Sequence, residues 1–274
     1  MGMDAAVRDL LHLLDLEKVE ENIFRGLSPR EQSQRVFGGQ VLAQALVAAT
    51  RTAPPERSCH SLHAYFLRPG DPAIPILYEV DRSRDGGSFS VRRVVAVQHG
   101  AQIFVLAASF QKSEAGFEHQ AEMPAVPSPE ALADAEPAPH RLWQAGPFQF
   151  RAVNPRSLGD RPARAPLDHV WFRVLPPLEA GPDLHRALLA FASDMSLLDT
   201  SLLPHGKGIL SNLQVASLDH AMWFHRPFRA DDWLLYSQDS PSASGARGFS
   251  RGLIFTRDGT LVASVSQEGL IRPR

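Results

Sequence analysis

One acidic residue lies in an apolar setting in the second half of the chain and is the first candidate for chemistry. Asp194 lies among leucine, phenylalanine, alanine and methionine residues within 183–198, whose spacing predicts an amphipathic helix. Aspartate is a poor helix-interior residue, and a buried carboxylate is costly unless it is hydrogen-bonded. We therefore expect Asp194 to be either a hydrogen-bonded structural acid or a general acid or base.

A second helix is predicted over residues 38–49, and it is apolar nearly all the way round. Such a helix must be enclosed by other structure, for which a wrapped sheet would suffice. No acidic residue lies between Val36 and Arg51. Acid-base chemistry of the kind expected of Asp194 is therefore possible in one half only, which predicts one active centre per chain.

A serine motif competes with Asp194 for the catalytic role. Residues 248–252 match the nucleophile-elbow pattern around Ser250. That elbow needs a strand that turns into a helix and a later triad histidine. Here the apolar run continues to a hairpin signal at Asp258-Gly259, and no histidine follows His225. Ser250 is therefore predicted to be a strand residue.

Neither a metal nor a cofactor is predicted. His60 and His63 are three residues apart, and no further ligand completes a set at short spacing. Gly38-Gly39 lacks the lysine of a phosphate loop and the third glycine of a dinucleotide fingerprint, so it indicates the start of a helix. Cys59 is the sole cysteine, which excludes an internal disulfide and fits a reducing compartment.

The elements that must position these residues follow a repeated order. A short helix is predicted over residues 4–16. Strand-like runs rich in β-branched and aromatic residues occupy 61–67, 76–80, 89–98 and 103–110 in the first half, and 169–174, 213–224, 233–238, 248–256 and 260–267 in the second. His63-Ala64 recurs as His220-Ala221 and Arg68-Pro69 as Arg226-Pro227, at offsets of 157 and 158 residues. The shared element order and these repeats predict two similar units.

A proline-rich stretch divides the chain near its middle. Nine prolines lie between Glu114 and Pro166, and hydrophobic periodicity vanishes there, which is typical of a linker. The sequence thus predicts a first unit at residues 1–113, a linker at 114–166 and a second unit at 167–274.

The overall charge limits the classes of partner. The 28 basic and 30 acidic residues give a formal charge of −2, so the chain has no net positive field to hold nucleic acid or an anionic membrane. No uninterrupted apolar run approaches the roughly 18 residues of a membrane span. Any site for an anion must therefore be local.

Four segments carry a family resemblance: Val36-Phe37-Gly38-Gly39-Gln40 and residues 63–70, 191–194 and 219–227. They resemble type II acyl-CoA thioesterases, and the resemblance covers nearly the whole chain except about residues 121–164. It implies an α+β double hot-dog fold, in which each half wraps an antiparallel sheet around a long helix and the two sheets join into one. It also implies hydrolysis of acyl-CoA to a fatty acid and coenzyme A.

The same resemblance implies a catalytic set of an aspartate, a serine or threonine, and a glutamine. These are Asp194, Ser217 and Gln267 in this chain. Our hypothesis is that the three hold one water against the thioester carbonyl, with Asp194 taking its proton. Two alternatives stay open, namely Ser217 as a nucleophile that forms an acyl-enzyme, and Asp219 as the acid.

Two other functions remain for such a fold. One is an enoyl-CoA hydratase, which also needs an acid near an acyl-CoA tail, and the other is an acyl-CoA binding protein without catalysis. Release of free thiol from a saturated acyl-CoA distinguishes a thioesterase from both.

Substrate contacts are predicted from residue type. The arginine fork matches phosphate oxygens, and an apolar tunnel suits an acyl tail. The candidates for the phosphates of coenzyme A are Arg68, Arg92, Arg93, Arg247 and Arg251, and the candidate for the acyl tail is Trp223. Because exposed sheet edges are usually covered by pairing and relatives of this kind assemble, we expect a homodimer or tetramer, acting in the cytoplasm.

Overall fold

The computed structural model describes residues 3–29, 34–132, 146–154 and 158–274. The first half contains helices α1 (Met3–Leu14) and α2 (Gly38–Thr50) and strands β1 (Glu17–Glu20), β2 (Ile23–Gly26), β3 (Arg57–Phe66), β4 (Ile76–Asp85), β5 (Phe89–Gln98) and β6 (Ala101–Lys112). The second half contains helix α3 (Pro182–Ser193), a 3₁₀ helix (Leu198–His205) and strands β7 (Phe148–Ala152), β8 (Leu167–Val174), β9 (Leu213–Ser217), β10 (Asp219–Phe224), β11 (Leu234–Ser244), β12 (Arg247–Thr256) and β13 (Leu261–Pro273).

The strands of both halves form one antiparallel sheet across the described residues. Its order is β1-β2-β4-β5-β6-β3-β10-β13-β12-β11-β8-β7, with β9 paired to β13. The second half repeats the order of the first in reverse, so that β3 and β10 meet at the centre. The expected double hot-dog architecture is thereby confirmed, with one long helix to each half and a continuous sheet.

The central strand pair shows which of the two sequence repeats is structural. His63 lies opposite Ala221, and Ala64 lies opposite His220. His220 is fully buried on the helix side of the sheet, whereas His63 is exposed on the other side. Because a shift of one residue moves a side chain to the opposite face, the offset of 157 does not relate equivalent positions. The interpretation of the His-Ala repeat as part of the duplication is therefore wrong.

The offset of 158 fits the structure. It relates Arg68-Pro69 to Arg226-Pro227, and it relates both ends of β5 to both ends of β12. Under this offset the counterpart of His220 is Leu62, which is also fully buried. One half thus has a polar side chain where the other has an apolar one.

The two long helices pack against each other on one side of the sheet. α2 is buried over most of its surface, as its composition predicts. At Gly39, a Cβ atom would lie 2.4 Å from the carbonyl oxygen of Phe191 on α3, so this contact requires glycine. No helix in the described ranges has the length and hydropathy needed to span a membrane.

Three strands have no counterpart in the sequence prediction. β1 is exposed at every position and rich in charge, and β2 and β7 are short. β7 and a 3₁₀ turn at Glu130–Leu132 belong to the predicted linker, of which residues 133–145 and 155–157 lie outside the described residues. The preceding residues are anchored to the second half, since Gln120 Nε2 donates to Gly259 O at 2.8 Å and Trp171 Nε1 to Pro127 O at 2.9 Å.

Candidate active site

Asp194 lies directly after α3 and not inside a longer helix. The helix ends at Ser193, and Asp194 is its C-cap residue with φ −85° and ψ −4°. The prediction that the helix continues to residue 198 is wrong. Ser193 Oγ donates to Ala190 O at 2.9 Å, and Met195 N donates to Ala192 O at 3.0 Å, so local hydrogen bonds replace the next helical turn.

The structure brings the three residues of the implied catalytic set together. Ser217 Oγ donates to Asp194 Oδ1 at 3.2 Å, and Gln267 Nε2 donates to the same oxygen at 2.5 Å. Ser217 ends β9 and Gln267 lies in β13, and these strands pair with Ser217 opposite Gly269. Two adjacent strands therefore present a hydroxyl and an amide to the carboxylate at the end of α3.

The three residues differ in their access to solvent. Asp194 and Ser217 line a cavity, whereas Gln267 is fully buried and does not line it. Gln267 Oε1 has no hydrogen-bond partner among the described residues. Gln267 thus contacts the carboxylate from behind, and its placement suits positioning of Asp194 better than direct contact with substrate.

The N-terminus of α2 meets the same carboxylate from the first half of the chain. The backbone of Gly39 is hydrogen-bonded to Asp194. A Cβ atom at Gly38 would lie 2.6 Å from Asp194 Oδ2. Helix N-termini favour anions, because their amides are unpaired and the helix dipole is positive there. Gly38-Gly39 therefore does more than begin a helix, a role that sequence analysis missed although both glycines belong to the family motif.

The surroundings of Asp194 act on its pKa in opposite directions. Burial raises the pKa of Asp194 from 3.8 to about 6, against hydrogen bonds from Gln267, Ser217 and the Gly39 backbone and the charge of Arg35, which lower it. The side chain is only 4% exposed. The carboxylate is thus ionised at neutral pH and close to the pKa that suits a general base.

A cavity of about 1090 Å³ opens beside Asp194 and Ser217. The residues that line it include phenylalanines from both halves, namely Phe37, Phe66, Phe104, Phe148 and Phe191. The rings of Phe37 and Phe191 meet edge to face with centroids 5.1 Å apart. A large apolar cavity with a few polar groups is the usual form of a site for a small molecule with a hydrocarbon part.

Among the described residues, three arginines line this cavity. Arg68 is among the predicted phosphate contacts, whereas Arg35 and Arg274 are not. Arg35 Nη2 donates to Val215 O at 3.0 Å, and Arg68 Nη1 donates to Gln102 O at 2.6 Å. Arg35 immediately precedes the Val36-Phe37-Gly38-Gly39-Gln40 motif, and this adjacency is the signal that sequence analysis could have used.

The prediction that Arg92 binds a substrate phosphate is wrong. Its side chain is only 1% exposed and is enclosed by protein acceptors. Nη2 donates to Asp85 Oδ1 at 2.8 Å and to Thr52 O at 2.9 Å. These bonds join the end of α2 to the sheet, so Arg92 has a structural role.

The other predicted contacts do not line the cavity. Arg247 Nε donates to Glu268 at 2.9 Å and Arg251 Nη2 to Asp239 at 2.5 Å, while Arg93 is exposed on the outer side of β5. The structure thus places these arginines apart from Asp194, on the side of the sheet that faces away from the helices.

Trp223 and Asp219 also face away from the cavity. Trp223 packs edge to face on His63 with ring centroids 5.1 Å apart. Asp219 Oδ1 accepts the backbone amide of Glu268 at 2.6 Å, which ties this carboxylate to β13. Neither residue is among those that line the cavity.

Two other candidate reactive groups, Cys59 and Ser250, do not line this cavity. Burial raises the pKa of Cys59 to about 12, so this thiol is held in its unreactive protonated form. Ser250 is fully buried within β12, as its assignment to a strand predicts. Within the described ranges no group of three histidine, cysteine, aspartate or glutamate side chains is placed to hold a metal ion.

Two family descriptions match the chain, one for each half. Residues 28–111 match an acyl-CoA thioesterase N-terminal domain, and residues 152–270 match an acyl-CoA thioesterase family. The first match contains the Gly38-Gly39 start of α2. The second contains Asp194, Ser217 and Gln267.

Similar proteins extend over nearly the whole chain. Acyl-coenzyme A thioesterase 8 of Mus musculus is 43% identical over 95% of this chain and 88% of its own length. The crystal structure of an acyl-CoA thioesterase II from Mycobacterium marinum is 47% identical, with a TM-score of 0.83 over 97% of this chain and 98% of that one. A hot-dog protein of unknown function from Alicyclobacillus acidocaldarius, 21% identical, shares the fold with a TM-score of 0.80 over 97% and 98% of the two chains. The chain therefore belongs to the acyl-CoA thioesterase II family, which hydrolyses acyl-CoA to a fatty acid and coenzyme A.

Proposed function

We propose that this thioesterase works by direct attack of a water molecule that Asp194 deprotonates. The observation that carries the proposal is the convergence of Ser217 and Gln267 on Asp194 Oδ1 at the wall of the cavity. Because both donors bind the same oxygen, they fix the orientation of the carboxylate and the directions of its remaining lone pairs. Because the Ser217 hydroxyl donates its hydrogen to Asp194, its oxygen can accept a hydrogen bond from the water.

The reaction then proceeds in balanced steps. The oxygen of water forms a bond to the thioester carbonyl carbon while one of its protons passes to Asp194. The carbon–sulfur bond breaks, and the proton moves from Asp194 to the departing thiolate. The products are a fatty acid and the free thiol of coenzyme A. The positive end of the α2 dipole, which already faces Asp194, favours the negative charge that develops on the carbonyl oxygen.

We propose that the acyl chain and the coenzyme A part of the substrate occupy different parts of the cavity. The acyl chain lies between the aromatic rings of Phe37, Phe66, Phe104, Phe148 and Phe191. The phosphates of coenzyme A lie near Arg35, Arg68 and Arg274, because a planar fork of donors matches phosphate oxygens. This arrangement leaves the thioester between them, beside Asp194.

An acyl-enzyme on Ser217 is the alternative that an experiment must exclude. Mass spectrometry of enzyme quenched within the first turnover should show unmodified Ser217. The variant Ser217→Ala should keep measurable turnover, reduced by about 10- to 100-fold, because it loses only the orientation of the water. Ser211→Ala is the matched control, since Ser211 also lines the cavity but donates to Asp160. An acyl adduct on Ser217, with no turnover in Ser217→Ala, contradicts direct water attack.

We also propose that the chain assembles as a homodimer or tetramer and acts in the cytoplasm. The outer face of the first-half sheet carries three exposed hydrophobic side chains, namely Tyr65 (60% exposed), Leu77 (39%) and Phe89 (43%). Exposed apolar side chains on one face support an interface between copies of the chain. A sole buried cysteine is consistent with a reducing compartment. Light scattering tests the first proposal, and cell fractionation tests the second.

A further inference from the structure

The turn after α3 brings a second polar side chain to the cavity wall. Ser196 comes two residues after Asp194, lines the same cavity and is only 4% exposed. The buried 3₁₀ helix begins two residues later, at Leu198. The turn that carries the proposed base therefore also carries a hydroxyl group that takes no part in the attack of water.

Two buried side chains hold this hydroxyl in place. Gln238 Nε2 donates to Ser196 Oγ at 2.5 Å, and Thr200 Oγ1 donates to Gln238 Oε1 at 2.9 Å. Gln238 lies on β11 and Thr200 in the 3₁₀ helix, and both are fully buried and do not line the cavity. A chain of hydrogen bonds thus runs from the protein interior to Ser196 at the cavity.

The burial of Thr200 decides the direction of this chain. In the observed orientation of the Gln238 amide, Thr200 donates its only hydrogen, and the hydrogen of Ser196 has no acceptor among the described residues. With the amide reversed, Ser196 would donate to Gln238, and the hydrogen of Thr200 would be the one without an acceptor. An unpaired donor is costly in the interior, whereas a donor at a cavity can meet solvent or a ligand. Ser196 is therefore a hydrogen-bond donor toward the cavity.

The first half of the chain shows that the fold does not need these hydrogen bonds. Under the offset of 158, the counterpart of Tyr236 on β11 is Tyr78 on β4, and the ladder positions of the two strands agree with this offset. The counterpart of Gln238 is then Val80, which is also buried. An apolar side chain thus suffices for packing at this position of the sheet. A buried polar chain that ends at the cavity points instead to a contact with substrate.

The position of Ser196 favours the acyl part of the substrate over coenzyme A. Gln238 lies on β11, which β10, β13 and β12 separate from the strands of the first half. Two of the three arginines near which we place the phosphates, Arg35 and Arg68, belong to the first half. Ser196 follows α3, whose Phe191 lines the part of the cavity proposed for the acyl chain. The hydroxyl therefore meets the acyl chain close to the thioester.

We propose that Ser196 is a specificity-determining residue that donates a hydrogen bond to an oxygen atom on the acyl chain close to the thioester. The substrate class that fits is a 3-oxoacyl-CoA, because its additional carbonyl oxygen accepts hydrogen bonds and lies near the thioester. A saturated acyl chain offers the hydroxyl no such partner. Gln238 and Thr200 are positioning residues that keep the hydrogen of Ser196 directed at the cavity. The proposal rests on the placement of the thioester beside Asp194 in the proposed function.

The test is a ratio, namely kcat/KM for a 3-oxoacyl-CoA divided by kcat/KM for the saturated acyl-CoA of the same length, both followed by release of free thiol. Ser196→Ala should lower this ratio by about tenfold, because a hydrogen bond is lost with the oxygenated substrate only. Thr200→Val, which keeps the shape of the side chain, should lower it by about threefold, because the Gln238 amide can then reverse and accept the hydrogen of Ser196. Since Thr200 does not line the cavity, that change cannot come from contact with substrate.

Ser211→Ala is the matched control, because Ser211 also lines the cavity but donates its hydrogen to Asp160 at 2.6 Å. It should keep the wild-type ratio. A wild-type ratio in Ser196→Ala or in Thr200→Val, each shown by circular dichroism to be folded, overturns the proposal. Equal losses on both substrates overturn it as well, since the hydroxyl would then contact a part that both substrates share.

Asp194→Asn, assayed in parallel, separates this inference from the proposed function. We expect it to be inactive while Ser196→Ala remains active with a lowered ratio. If Asp194→Asn is inactive and Ser196→Ala has the wild-type ratio, the inference alone fails. Full turnover in Asp194→Asn contradicts the proposed base and removes the placement of the thioester on which the inference rests.

Discussion

Two aspartates near the site show how position decides which acid reacts. The side chain of Asp194 is only 4% exposed, yet Asp194 lines the cavity and is contacted by side chains and a helix start. Asp219 is the first residue of β10, two residues after Ser217, and its carboxylate accepts a hydrogen bond from the backbone amide of Glu268. Burial raises the pKa of both groups. Only Asp194 combines this shift with access to the space that a substrate would fill.

Arg35 provides a test of where coenzyme A lies. Arg35→Ala should raise KM for an acyl-CoA by about tenfold, because one phosphate loses a charge-assisted pair. The same acyl group on N-acetylcysteamine lacks the phosphates, so its KM should be the same in wild type and variant. Loss of the Arg35 charge also raises the pKa of Asp194, and any resulting change in kcat should be the same for both thioesters. Steady-state kinetics on both thioesters provides the measurement.

A matched substitution serves as the control for this test. Arg93→Ala removes an exposed arginine that does not line the cavity, so KM should be unchanged for both thioesters. An increase in KM of equal size for Arg35→Ala on the two thioesters would contradict phosphate binding by Arg35. The variant would then be acting on the acyl end or on the fold.

At the scale of elements, the site depends on where α2 begins and α3 ends. At the start of α2, the backbone of Gly39 is hydrogen-bonded to the carboxylate that follows the last residue of α3. The two helices can approach only because the first residues of α2 are glycines. Gly38 faces Asp194 Oδ2, whereas Gly39 faces the backbone of Phe191. These neighbouring positions therefore have separable functions.

Alanine substitutions should separate the two functions. Gly38→Ala should lower kcat by about 100-fold or more with a folded structure, because its Cβ atom would lie 2.6 Å from Asp194 Oδ2 and displace the carboxylate that the mechanism needs. Gly39→Ala should lower stability by about 2 kcal/mol or more, because its Cβ atom would meet rigid backbone 2.4 Å away. Turnover assays and thermal unfolding monitored by circular dichroism provide the measurements.

Gly116→Ala is the control, since a Cβ atom at this position would have no atom of another described residue within 4 Å, apart from its chain neighbours. It should leave kcat and the unfolding temperature unchanged. Normal kcat in Gly38→Ala, or wild-type stability in Gly39→Ala, would contradict the functions assigned to these two glycines.

The order of elements could be predicted from the sequence better than their ends. Hydrophobic periodicity located α2 and most strands, because their buried faces are long and regular. It failed at β1, where every residue is exposed, and at the end of α3, where apolar residues continue after Ser193 although the backbone turns. Periodicity reports burial, and a buried 3₁₀ helix at Leu198–His205 satisfies it as well as an α-helix does.

The site was predictable only in part for a related reason. The family resemblance identified Asp194, Ser217 and Gln267, which the fold brings into contact. Residue type alone suggested Arg92 as a phosphate contact, yet the side chain is buried in an ion pair. Residue type alone does not distinguish an arginine that faces a cavity from one that faces the protein interior.

At the scale of the whole molecule, each half contributes a different part of one active centre. The second half supplies the acid, the hydroxyl and the amide, and the first half supplies the start of α2. The C-cap residue of α3 is Asp194, whereas the C-cap residue of α2 is Arg51. Arg51 Nη2 donates to Asp15 Oδ1 at 2.6 Å. In the described residues the duplicated fold therefore carries one set of the proposed catalytic groups, although the element order is repeated.

The most direct test compares kcat for Asp194→Asn and Asp219→Asn on one saturated acyl-CoA, by release of free thiol. With one centre per chain and Asp194 as the base, Asp194→Asn should lower kcat by about a thousandfold or more while the protein stays folded, and Asp219→Asn should retain most of it. Loss of turnover in Asp219→Asn but not in Asp194→Asn, or half-maximal turnover in Asp194→Asn, would contradict the account.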